Sequence, residues 1–291
     1  MTQASKFSLG VAQFSMSEAP EPNIARAVEL VRAAAARGAQ VVLLPELFES
    51  WYFPREMDPR FFALAHRVDE DPALRALSRV AAELGVVIPV SFFERDGDAY
   101  FNSLVVLDAD GKNLGLYRKT HIPDGPGYEE KYYFRPGDTG FRVFPSRYAT
   151  LGVGICWDQW FPECARALAV QGADLLLYPT AIGSEPVTGR DTAAAWRRAM
   201  LGHAVSNTMH VAAANRVGTE AGQCFYGTSF IADPWGEVIA ELNRTEHGVL
   251  VCELDLARAR ADREWMGLLR DRRPSMYGSL CSQAPAGSAD P

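Results

Sequence analysis

The sequence predicts an α/β fold, and three observations carry that reading. Short apolar, partly β-branched runs alternate with Ala-rich segments of helical period. Two of the buried runs end in a proline followed by a polar residue, at Pro45-Glu46 and Pro179-Thr180. One strand–helix–strand unit also occurs twice. Gly10-Val-Ala-Gln-Phe, a helix, and Arg37-Gly-Ala-Gln-Val-Val-Leu-Leu-Pro-Glu46 are echoed by Gly154-Ile-Cys-Trp, a helix, and Gln171-Gly-Ala-Asp-Leu-Leu-Leu-Tyr-Pro-Thr180. The echo implies two similar halves, each a sheet covered by helices, with chance similarity of generic units as the alternative. Glu46 and Thr180 would then occupy equivalent strand ends.

Residues 7–14 read as the first strand. Residues 22–37 form an amphipathic helix closed by Gly38, and 41–44 a buried strand. Helical stretches are expected near 59–66 and over 72–84, the second closed by Gly85. Strands over 86–93 and 100–107 are joined through Asp96-Gly97-Asp98, a hairpin signal. A turn at 108–111 leads into 112–118. Residues 119–139 are rich in Gly, Pro and Tyr without periodicity, and so long a loop in a compact chain is usually functional. The run 149–156 reads as a buried strand, and 161–170 as a helix entered through Pro162. A strand (174–178), a helix (190–206, Trp196 inward) and a strand (209–214) follow. Residues 225–232, 237–241 and 248–253 complete the strands, and 254–269 reads as helix. Residues 5–281 are expected to form one domain, with 282–291 a disordered tail rich in Ala, Ser, Gly and Pro.

With 291 residues, 48% of them hydrophobic, the chain can bury one large core or two smaller ones. A net charge of -7 and the lack of a Lys/Arg cluster argue against nucleic acid as a partner. The same acidity suits a cationic ligand without requiring one. Cys156, Cys164, Cys224, Cys252 and Cys281 are odd in number and widely spaced. They make no CxxC or His/Cys ligand set, so neither a disulfide framework nor a metal site is expected, and a cytoplasmic setting is. No charged leader precedes an apolar segment, and no apolar run is long enough to span a membrane.

Cys156 closes an apolar strand just before a helix, which is where open α/β sheets place their ligands. A nearby helix N-terminus would favour its thiolate, whereas the alternative is a buried structural thiol. Glu46, after four apolar residues and a proline, lies either at the mouth of a sheet or buried at a cost unless paired. Lys119 stands where a strand turns into the long loop, a position equally open to a solvated lysine. His121 invites a Cys–His reading, since histidine is the usual base for a nucleophilic thiol.

Taken together, Leu43-Leu-Pro-Glu46-Leu-Phe, Tyr117-Arg-Lys119-Thr-His-Ile-Pro and Gly154-Ile-Cys156-Trp-Asp resemble the nitrilase superfamily of carbon-nitrogen hydrolases. The resemblance runs from Phe7 to about Leu269 and includes Asn215-Arg-Val-Gly218 and the segment from Gly227 to Gly236. The loop from His121 to Phe141 and Thr180-Ala-Ile-Gly-Ser-Glu-Pro186 look like the branch that acts on N-carbamoylputrescine. The resemblance implies a four-layer α-β-β-α sandwich with pseudo-twofold halves, no cofactor, and a homo-oligomer. It implies Cys156 as nucleophile, Glu46 as general base, Lys119 as electrostatic partner and the backbone N–H of Trp157 as an oxyanion donor. A second active-site glutamate aligns at Glu130, with its neighbour Glu129 left open, and His121 loses its catalytic claim. For a carbamoyl amine with an ammonium at its far end, Glu185 is the candidate partner. Asp124 and Tyr128 are secondary, and Thr180 lines the same end of the sheet. Another branch of the superfamily, or a non-catalytic binding protein of the same fold, are the competing readings.

Overall fold

The computed structural model describes residues 5–282, so all but the first residue of the expected tail lies outside the described residues. The first half builds β1 (Lys6–Gln13), α1 (Pro20–Ala36), β2 (Val41–Leu43), α2 (Pro72–Leu84), β3 (Ile88–Asp96), β4 (Ala99–Leu107) and β5 (Asn113–Arg118). A helical turn, α3 (Glu130–Tyr133), interrupts the long loop. The second half holds β6 (Val143–Pro145), β7 (Thr150–Val153), α4 (Pro162–Val170), β8 (Leu175–Thr180), α5 (Ala193–Asn207) and β9 (His210–Asn215). It continues through β10 (Val217–Glu220), β11 (Gln223–Tyr226), β12 (Phe230–Ala232) and β13 (Val238–Glu241). The chain then returns to the first half through β14 (Gly248–Asp255) and α6 (Leu256–Met266).

The strand orders are β14-β1-β2, β3-β4-β5 and β13-β12-β9-β8-β7-β6. Hydrogen bonds from Val42 N to Val87 O (2.9 Å) and Val87 N to Gln40 O (2.8 Å) join the first two into one sheet. Each half therefore has three parallel central strands, linked by two helical crossovers and flanked by antiparallel strands. Alternation along the strands sorts the apolar residues into layers. Leu9 and Val11 of β1, with Leu151, Val153, Leu175 and Leu177, fill the space between the sheets. Ala12, Phe14 and Val42 pack outward with residues of α1 and α2, and Leu176 and Tyr178 do so with residues of α4 and α5. This is the expected α-β-β-α sandwich.

The strand register corrects one detail of the internal echo. Leu9 pairs with Val41 and Leu151 with Leu175, and these partners stand three residues after Gly38 and Gly172. Gly10 thus corresponds to Gly152 rather than to Gly154, while Glu46 and Thr180 remain equivalent. Several boundaries also shift. Residues 59–66 form a 3-10 helix over Pro59–Leu64 instead of an α-helix. The strand expected over 149–156 stops at Val153, and a 3-10 turn begins at Cys156. The strand expected over 225–232 is broken at Gly227 and Thr228, both left-handed (φ 58° and 56°). Its first part pairs back into the β10–β11 hairpin.

Candidate active site

Glu46 leaves β2 through Pro45, and its backbone N–H donates to Thr180 O (3.3 Å), so the two equivalent strand ends face each other. Its side chain is fully buried. Oε1 accepts from Lys119 Nζ (2.8 Å) and from Asn102 Nδ2 (2.7 Å), while Oε2 is buried without a hydrogen-bond partner. Lys119 directly follows β5, and its ammonium also donates to both oxygens of Glu130 (2.9 and 2.7 Å). Tyr52 OH donates to Glu130 Oε1 at 2.5 Å. Of the two adjacent glutamates, Glu130 is the one brought to Lys119. Glu129 is half-buried, and its N–H caps Pro54 O (2.6 Å).

Cys156 is buried and adopts φ 42°, a left-handed conformation that costs a non-glycine residue about 1–3 kcal/mol. Asp158 holds that turn. Its Oδ2 accepts from Ile155 N (3.0 Å) and Tyr117 OH (2.7 Å), and its Oδ1 from His121 N (3.0 Å). One carboxylate therefore ties the residue before the cysteine to the loop that follows Lys119. His121 Nδ1 lies 2.7 Å from the same Oδ1, and the ring stacks on Phe161 at 3.6 Å, so the histidine is engaged with Asp158. Leu47, just after Glu46, is also left-handed (φ 46°). Arg216 pins this corner by donating to Glu46 O (2.7 Å) and Leu47 O (3.0 Å), while Glu220 Oε2 accepts from Arg216 (2.6 Å) and Tyr52 N (2.7 Å).

Burial works against the Lys119 ammonium, but the carboxylates of Glu130 and then Glu46 outweigh it and raise its pKa overall. Burial pushes Glu130 up to about 7 against the pull of Lys119. Burial, followed by the Glu46 charge, raises the Cys156 thiol well above its ordinary range, with Lys119 acting the other way. The helix N-terminus expected to favour a thiolate is outweighed, and α4 begins only at Pro162. A thiol raised in this way needs a base to take its proton at the moment of attack, and the carboxylates whose charges act on it are Glu46 and Glu130.

Residues 8–264 match the carbon-nitrogen hydrolase family. The chain belongs to this family. It is 51% identical over 277 residues to N-carbamoylputrescine amidase of Arabidopsis thaliana, covering 92% of this chain and 93% of the relative. It is 46% identical over 277 residues to a citrullinase of Francisella tularensis, covering 94% of this chain and 97% of the relative. The crystal structure of a carbon-nitrogen hydrolase from Helicobacter pylori G27 superposes with a TM-score of 0.90 at 35% identity, covering 96% of this chain and 99% of that one. The protein is a hydrolase of carbon–nitrogen bonds.

The remaining candidates of this carbon-nitrogen hydrolase sit in unequal settings. Tyr128 OH accepts from Gly183 N (3.1 Å), and burial above all raises the phenol, with Cys156 and Glu185 near enough to add to it. Glu185 is half-buried in a loop closed by its N–H to Arg190 O (3.0 Å). Asp124 is exposed and 4.0 Å from Lys131. Trp157 is 38% exposed and tilted against Trp160. The Thr180 hydroxyl is buried against Gln159 Oε1 (2.9 Å), so this residue meets the site through its carbonyl rather than its side chain. The β10–β11 hairpin joins the rim, with Phe225 bridged to Gly183 and Gln223 Nε2 donating to Gly127 O (3.3 Å). A Cβ on Gly183 would come within 1.9 Å of Cys224 O, so only glycine permits that approach. Sequence reasoning missed Asn102, Tyr52, Asp158 and Glu220. For Asn102 a signal existed, a polar residue inside Tyr100-Phe-Asn-Ser-Leu-Val-Val-Leu107. Among the described residues, no set of three or more His, Cys, Asp or Glu could hold a metal, and no helix is long and apolar enough to cross a membrane.

Proposed function

We propose that this hydrolase cleaves N-carbamoylputrescine to putrescine, ammonia and carbon dioxide through a covalent intermediate on Cys156. The observation that carries the reading is the fully buried Glu46–Lys119–Glu130 cluster, whose charges act on the Cys156 thiol. Glu46 takes the thiol proton as sulfur bonds to the ureido carbon. The N–H of Trp157 donates to the developing oxyanion, a contribution of typically about 10²–10³-fold, and the nearby Lys119 ammonium attracts it as a charge. Collapse breaks one C–N bond, and Glu46 returns the proton to the departing nitrogen. The resulting S-carbamoyl species is hydrolysed by water activated by Glu46. Breaking the C–S bond restores the thiol and releases a carbamate, which decomposes to carbon dioxide and the second amine. Glu130 keeps Lys119 in place and orients substrate.

At the far end, Glu185 receives the substrate ammonium, with Tyr128 and Asp124 beside it. The Gly125–Tyr128 and Ser184–Gly189 loops meet where Gly127 lies against Pro186, which supports a pocket built from both. The similarity to citrullinase favours citrulline as a second reading, since it carries a ureido group on a comparable chain. Product analysis separates them. Putrescine and ammonia released from N-carbamoylputrescine, far faster than ammonia from citrulline or N-carbamoyl-β-alanine, supports the first reading; the opposite order overturns it. Glu185→Gln should raise KM for N-carbamoylputrescine about 10-fold or more, while leaving KM for a neutral N-alkylurea nearly unchanged. Equal effects on both would remove Glu185 from its role. A cofactor-free homo-oligomer in a reducing cytoplasm belongs to the same reading, supported by the superfamily resemblance and by five unpaired cysteines.

A further inference from the structure

Asn102 is a fully buried polar residue on β4, opposite Phe93 of β3. It meets Lys119 through the backbone and Glu46 through the side chain. Its carbonyl accepts from Lys119 N (2.8 Å), and its Nδ2 donates to Glu46 Oε1 (2.7 Å). Its own Oδ1 is buried without a partner, so the side chain is kept in this place for the single bond it gives to Glu46.

We propose that Asn102 is a positioning residue that selects which oxygen of Glu46 receives the thiol proton, an inference that rests on Glu46 being the base. Lys119 has three N–H donors, and its three carboxylate contacts are Glu46 Oε1 and both oxygens of Glu130. The ammonium therefore holds Glu46 at one point only. A second donor on the same oxygen fixes the carboxylate plane. Two donors on Oε1 stabilise its negative charge and leave the proton affinity on Oε2, the partnerless oxygen. The proton moves from Cys156 Sγ to Oε2 as the S–C bond forms, and leaves Oε2 for the departing nitrogen when the C–N bond breaks. Throughout, Oε1 stays bonded to Lys119, so the ammonium is not drawn away from the oxyanion.

The test uses the full-length enzyme with Asn102→Leu, which keeps the branched outline of the side chain and removes the donor, and Asn102→Asp, which replaces a donor by an acceptor. The charged and titratable groups facing Glu46 are Lys119, Glu130, Cys156 and Tyr52, and all four are unchanged in both variants. The kinetic constants for N-carbamoylputrescine are measured across pH. In N102L, kcat is expected to fall about 10-fold or more with KM within about 2-fold. The acid limb of the kcat/KM profile should move to higher pH, and further in N102D, where two carboxylates face each other. Unchanged kcat, or a fall in kcat with the acid limb unmoved, overturns the proposal. Asn102→Ala carries the same test should N102L not fold. Glu46→Gln separates the two levels: an active E46Q overturns the base assignment and this proposal with it. An inactive E46Q beside a wild-type-like N102L overturns only the role of Asn102.

Discussion

Two carboxylates and one ammonium are buried together at Glu46, Lys119 and Glu130. Each ion carries a desolvation cost of several kcal/mol, offset by contacts of 2.7–2.9 Å, so removing the central cation should affect more than turnover. Lys119→Met is expected to lower kcat by at least about 10²-fold and to reduce stability by about 3–5 kcal/mol in urea unfolding. A stable but inactive variant would argue that the cluster is held by its surroundings instead. At this scale the sequence was legible where a residue broke a local pattern. Glu46 interrupts an apolar strand end, and Cys156 ends another. Asp158 and Tyr52 gave no such break, because their roles depend on partners 37 and 78 positions away.

The βαβ units could be read because strand alternation and helix punctuation are local signals, as at Gly85, left-handed after α2 (φ 68°). The β10–β11 hairpin could not, since its turn and the break at Gly227–Thr228 are set by what the hairpin packs against. The register of the echo was missed for the same reason: only strand pairing identifies Gly152 with Gly10. A Cβ on Gly152 would lie 2.9 Å from Ala173 Cβ and 3.1 Å from Leu168 Cβ, so β7 and α4 are in contact through this glycine. Gly152→Ala should destabilise by about 1–3 kcal/mol, by overpacking this contact. The check is an urea midpoint, with kcat of the folded fraction preserved. An unchanged midpoint would mean that α4 shifts freely, and the turn at Cys156 with it.

Across the whole molecule, two halves with the same strand order bring the ends of β2 and β8 together, and the candidate site lies where they meet. Buried charge there also links stability to pH. Glu130 is pushed up to about 7 from 4.5, so the folded state keeps a proton that the unfolded chain releases. Its contribution to stability is complete below pH 4.5 and is lost as pH rises through about 7. Wild type should therefore lose more stability than Glu130→Gln between those limits, seen in urea midpoints at several pH values; parallel curves would contradict it. The proposed reaction requires a covalent bond to Cys156. Rapid acid quench of the enzyme turning over N-carbamoylputrescine, followed by intact mass and peptide mapping, reads that bond directly. The prediction is an adduct on Cys156 with the mass of the carbamoyl group, with or without the attached diamine according to which nitrogen leaves first, and no adduct in Cys156→Ala. Turnover that persists in Cys156→Ala, or an adduct on any other residue, would contradict it.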